Sequence, residues 1–148
     1  MSSLDKDLIN IFSAIGSIAV GTGVLTVIVV ILNIKYKPIL NKFLDLKIFN
    51  KKLTSMKLHK FLGVATILLG SIHGFGMLFF YPEVLKRYSG VTGLIVLILF
   101  WILGLLPVVM KKVPLKYKKV FMKSHKVLGI IIFIFILIHI FSSSDFIK

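Results

Sequence analysis

The chain has 148 residues, 57% of them hydrophobic, with a mean hydropathy of +1.00, 19 Lys and Arg against 5 Asp and Glu, and a formal net charge of +14. Several near-uninterrupted apolar runs of spanning length exclude an ordinary soluble domain. The absence of cysteine excludes iron-sulfur clusters, covalently attached c-type haem and disulfides within the chain, and the lysines are not interleaved with aromatics as in a nucleic-acid module.

Four membrane spans are expected in chain order, over residues 9–34, 58–81, 91–110 and 120–141. The first is too long for a signal-peptide core and follows Asp5-Lys6-Asp7 rather than a basic region, so it reads as a retained helix. A basic loop follows, carrying Lys35, Lys37, Lys42, Lys47, Lys51, Lys52, Lys57 and Lys60. Within it Pro38, Ile39, Leu40, Phe43 and Leu44 predict an interfacial helix. A short turn over residues 82–90, with Glu83, Lys86 and Arg87, joins the second and third spans. The second basic loop carries Lys111, Lys112, Lys116, Lys118, Lys119, Lys123 and Lys126, and its Pro114 and Tyr117 read as a turn into the fourth span. By the positive-inside rule both lysine-rich loops are cytoplasmic and both termini face outward. Tyr36, Tyr81, Tyr88 and Tyr117 fall near the expected interfaces, where amphipathic rings are enriched. The reading is an all-α membrane protein: residues 1–148 form one four-helix transmembrane bundle, N-out and C-out. Its expected location is a lipid bilayer, integral and multi-pass, as in a prokaryotic cytoplasmic membrane.

All four histidines lie in the second and fourth spans, as His59 with His73 and His125 with His139, each pair fourteen residues apart. Fourteen helical residues rise about 21 Å and return to within about 40° of four full turns, so each pair points one way from two levels. The repeat extends to neighbours: Lys57-Leu58-His59-Lys60-Phe61-Leu62-Gly63 aligns with Lys123-Ser124-His125-Lys126-Val127-Leu128-Gly129 at an offset of 66. Two such helices side by side present one facing imidazole pair at each level, which is what b-type haem iron requires inside a membrane bundle. Two haems b are expected between helices 2 and 4, His59 with His125 at the cytoplasmic level and His73 with His139 at the outer level. Zinc or copper is a poor rival, because histidines on one helix are too far apart to share an ion and the spans lack carboxylates. The competing reading is that the histidines only pack helices.

Gly63 and Gly129 follow the inner histidines by four residues, and Gly70, Gly74 and Gly76 surround His73. They either clear room for a porphyrin face or let helices pack closely. His139 has bulky neighbours, Ile138, Ile140 and Phe141, so an asymmetric outer pocket is expected. Lys57, Lys60, Lys123 and Lys126 are placed to meet inner-haem propionates or an acidic partner, or else mark topology and contact anionic lipid. Arg87 has the same choice between an outer propionate or anionic acceptor and ordinary snorkelling. Trp101 either packs on a haem or faces lipid or a neighbouring helix.

His59-Lys60 followed by Gly63, Ile72-His73 and Leu78-Phe79, with Ser124-His125 and Ile138-His139, resembles the two haem-bearing helices of the ferric reductase and NADPH oxidase transmembrane domain. The resemblance spans residues 58–141; the N-terminal four-helix half of respiratory cytochrome b shares the spacing and is the second choice. It implies two stacked b-haems carrying electrons from a cytosolic flavin to an outer acceptor. Members of that family usually have six spans and a flavin and nicotinamide domain, whereas this chain has four spans and no dinucleotide fingerprint. The donor is therefore expected to be a separate flavoprotein or a quinol.

Three function classes follow. The first is transmembrane electron transfer to ferric iron, an oxygen species or a redox protein, as an oxidoreductase-type subunit without its own flavin domain. The second is a quinone-reactive cytochrome b anchor of a respiratory complex. The third is a haem-free assembly subunit. The chain acts alone, as a homo-oligomer, or within a larger complex. With both axial positions histidine, the iron has no open site for substrate, and no acid in the spans handles quinone protons, which favours the first class.

Overall fold

The structure, a computed structural model, describes residues 3–36, 38, 39, 47, 48, 51, 52 and 54–143. Four long helices account for most of it: α1 (Ser3–Lys35), α2 (Ser55–Phe80), α3 (Tyr88–Lys112) and α4 (Leu115–Ser143). All four are long and apolar enough to cross a membrane. Exposed Phe79, Leu115 and Phe141 would be untenable together with so many other bare apolar side chains in water. Among the described residues only Ala19, Val29, Val96, Leu97, Phe100 and Ile132 are buried apolar side chains. The chain is an integral, multi-pass membrane protein whose apolar surface is solvated by lipid.

Local signals set the helix ends. Thr54 caps α2, its hydroxyl accepting from the Lys57 amide at a long 3.4 Å. Pro82 stops α2 and opens a 3-10 turn (Pro82–Lys86), in which Lys86 pairs with Glu83 at 2.6 Å on the exposed surface. The first turn of α3 folds back over that turn, and a Cβ on Gly90 would run into the Val84 carbonyl, so the tight connection requires glycine there. Lys111 and Lys112 end α3 where the helix dipole favours cations. The helices outrun the apolar runs: α1 begins six residues before the expected span, and Lys116, Tyr117, Lys118 and Lys119 lie on α4 rather than in a turn, because lysine is a good helix former. Of the expected interfacial helix over residues 38–44, Pro38 and Ile39 are helical and the remainder lies outside the described residues. The sequence gives no warning of a two-residue antiparallel pairing between β1 (Lys47–Ile48) and β2 (Lys51–Lys52), with Lys47 opposite Lys52.

Apart from that pairing the architecture is an all-α bundle made of two antiparallel helical hairpins. α1 packs along α2 and α3 along α4, with a shorter contact between α2 and α3. α2 and α4 run parallel and share no extensive backbone contact; their histidines face each other across the gap. At the α1–α2 seam Thr66 donates to Thr22 at 3.1 Å, Ser55 to Asn33, and Phe12 lies over Gly76 and stacks on Phe80. Interhelical hydrogen bonds in membranes average about 0.6 kcal/mol, so close approach at small residues contributes at least as much as the polar pairs. Val96, Phe100 and Ile132 form the α3–α4 core.

The seam is testable because the chain lacks cysteine. A Thr22→Cys, Thr66→Cys double variant is expected to form an intramolecular disulfide readily on mild oxidation, as side chains this close allow. A Thr22→Cys, Ile132→Cys pair is expected to remain reduced, and gel mobility after thiol alkylation distinguishes the two.

Candidate functional site: two facing histidine pairs

The fourteen-residue interval does bring the four half-buried histidines together in pairs. His59 and His125 lie with ring centres 6.3 Å apart and planes at 83°, toward the lysine-rich end. His73 and His139 lie 6.2 Å apart at 67°, toward the opposite end. Each pair takes one ring from α2 and one from α4. Two imidazoles binding one ion from opposite sides have ring centres roughly 6 Å apart, given metal–nitrogen bonds of about 2.0–2.1 Å.

The other two helices fix the rings. His73 Nδ1 donates to the Phe12 carbonyl at 2.7 Å and His59 Nδ1 to the Thr26 carbonyl at 3.4 Å, both on α1. His139 Nδ1 donates to the Ser89 carbonyl of α3 at 3.0 Å, with the Thr92 hydroxyl 3.4 Å away as a second acceptor. Thr92 itself donates to Ser89 and lies 3.4 Å from the Ser142 hydroxyl. A carbonyl only accepts, so these three contacts place the proton on Nδ1 and leave the Nε2 lone pair free. That is the tautomer of a histidine that ligates through Nε2 while a backbone carbonyl holds its other nitrogen. The fourth, His125 Nδ1, is buried without a hydrogen-bond partner.

The Phe12 and Ser89 carbonyls are reachable because of glycine. The residue four positions after Phe12 is Gly16, and the residue four after Ser89 is Gly93. A side chain at that position covers the carbonyl one turn before it. A Cβ on Gly16 would come within 2.8 Å of His73 Nδ1, and one on Gly93 within 2.9 Å of His139 Cε1. Phe12, Gly16 and Thr26 are related to Ser89, Gly93 and Leu103 by a constant offset of 77. The hairpins are thus structural repeats, α1 matching α3 as α2 matches α4.

His73 and His139 both line a cavity of about 530 Å³, together with Gly16, Gly70, Gly74 and Gly93 among others, a volume within the range of small-molecule sites. Gly70 and Gly74 also admit Phe100 and Leu97 of α3, so the close-packing reading holds for both, and Gly76 admits the ring of Phe12. The glycine beside His139 comes from α3, where a survey of α4 neighbours does not find it. Gly63 sits 3.9 Å from the Thr26 methyl by its would-be Cβ, and that of Gly129 points into open space. Lys60 and Lys126 are exposed near the His59 and His125 pair. Trp101 lines a separate shallow groove between α2 and α3 with Ile67 and Gly104.

Among the described residues no group of three or more His, Cys, Asp or Glu comes together. Each level therefore offers two protein donors, too few for the four-coordinate sites of structural zinc. No family model matches the chain, and no curated protein or solved structure proves similar to it. The bundle is consistent with a generic cytochrome-b-like membrane architecture, and the site must be read from its own geometry.

Gly16→Leu and Gly93→Leu are expected to cost about 1–3 kcal/mol each by overpacking against the imidazoles. Gly21→Leu, whose Cβ meets nothing within 4 Å, is expected to leave stability unchanged. Unfolding in micelles followed by circular dichroism measures all three.

Proposed function

We propose that the two histidine pairs hold two b-type haems and that the protein transfers electrons across the bilayer. The observation that carries this reading is the pair geometry: opposed imidazoles 6.2 and 6.3 Å apart, three of the four with Nδ1–H given to a carbonyl. Two protein ligands per level complete an ion whose remaining donors come from a macrocycle. Support also comes from the glycine-lined cavity at the His73 and His139 level, and from the gap between α2 and α4. When bound, haem supplies a reversible one-electron couple.

The residues themselves do the rest. His59 with His125, and His73 with His139, would each hold one haem from both sides, which would leave no open iron site for substrate and would limit the chemistry supplied there to electron exchange. The carbonyls of Phe12, Thr26 and Ser89 keep the rings in the ligating tautomer and orientation. Lys60, Lys123 and Lys126 at one end suit propionates or an acidic donor, and a separate flavoprotein or a quinol would supply electrons there. The acceptor at the opposite end would be ferric iron, an oxygen species or a redox protein, the role of a ferric-reductase-like subunit. No carboxylate lies between residues 84 and 144 or between 8 and 44, which favours electron transfer alone over proton-coupled quinone chemistry.

Purified protein from haem-replete cells is expected to carry about two b-haems per chain in a reduced-minus-oxidised spectrum. His73→Ala and His125→Ala are each expected to lose one of them. Colourless protein, or haem retained at full occupancy in both variants, would overturn the proposal.

A further inference from the structure

His125 stands apart from the other three histidines because its Nδ1 is buried yet makes no hydrogen bond. A donor stranded in a membrane interior costs free energy, so the surroundings should hold an acceptor for it. The repeat says where to look. Three acceptors are the carbonyls of Phe12, Thr26 and Ser89, and the fourth position in the pattern is Leu103, fourteen residues after Ser89 and 77 after Thr26. The Leu103 backbone is also the one that acts electrostatically on His125.

Four residues after Leu103 is Pro107, inside α3. Proline has no amide hydrogen, so the Leu103 carbonyl loses its helical partner. A carbonyl freed in this way within a membrane helix must be answered by a neighbour. One helix pair thus brings together a carbonyl without its amide and a ring nitrogen without a partner.

We infer that Pro107 is a positioning residue for the second histidine pair: by freeing the Leu103 carbonyl it provides the acceptor that sets the tautomer and orientation of His125. The bundle solves one problem in two ways. At His73 and His139 glycine uncovers a carbonyl that is already engaged, and at His125 proline releases one. The effect on iron rests on the proposed haem function, whereas the hydrogen bond itself does not.

The test is ¹⁵N NMR of histidine-labelled full-length protein in micelles, with His125 assigned by its His125→Ala variant. A protonated, slowly exchanging Nδ1 is expected for His125 in the wild type. Pro107→Ala and Pro107→Leu both restore an amide hydrogen beneath a side chain and are expected to abolish that protection equally. A rapidly exchanging His125 Nδ1–H in the wild type overturns the inference whatever the haem content and whether or not the variants fold. So does either variant if it folds and keeps the protection of the wild type. In haem-loaded protein a redox titration adds a second readout: the midpoint assigned to the His59 and His125 level rises in both variants, because a ring with a weaker acceptor is a poorer donor to ferric iron, and the other midpoint stays fixed. Absence of haem with a protected Nδ1–H would refute the proposed function and leave the inference standing.

Discussion

A neutral imidazole inside a bilayer has one N–H that water cannot satisfy, and the arrangement of this bundle follows from answering it. Helical carbonyls retain a second lone pair after accepting their own amide, so a neighbouring helix can serve as acceptor if its surface lets the ring approach. α1 serves the two histidines of α2, and α3 serves His139 of α4. That pairing requires the hairpins to pack internally, which leaves α2 and α4 facing each other across a gap with Nε2 free. Polar satisfaction at one ring nitrogen therefore prepares the other for ligation.

The tandem repeat gives this scheme economy. The same device appears at equivalent positions of both hairpins, with Ala19 and Val96 buried at matching places on α1 and α3, and Thr66 and Ile132 on α2 and α4. The contacts differ in chemistry: hydroxyls meet at Thr22 and Thr66, whereas an apolar cluster surrounds Ile132. In lipid either solution packs helices, because exclusion from water contributes little and close fit decides. Most of the outer surface is free to vary within apolar residues, and the constraints concentrate at histidines, glycines and one proline.

The spans and the histidine pairs were legible in the sequence because hydropathy and a fourteen-residue interval depend on residue identity alone. The α2–α4 match at 66 was visible through His-Lys and glycine. The α1–α3 match at 77 was not, since its functional atoms are carbonyls, which every residue possesses; the readable trace is only Gly16 with Gly93. The two offsets differ because the hairpin connections differ in length: residues 36–54 join α1 to α2, and only Val113 and Pro114 separate α3 from α4. Gly63 and Gly129 repeat in the sequence as well, and in the structure a Cβ on the one would meet a methyl group and on the other open space.

The most direct test of the central claim is low-temperature electron paramagnetic resonance of the oxidised, purified protein. With haem iron held by each pair, imidazole planes near perpendicular, at 83° and 67°, would leave the two iron orbitals that accept their π-donation nearly equal in energy. The account predicts two low-spin ferric signals of strongly anisotropic type. A high-spin ferric signal as the main species, or no ferric signal, would contradict it.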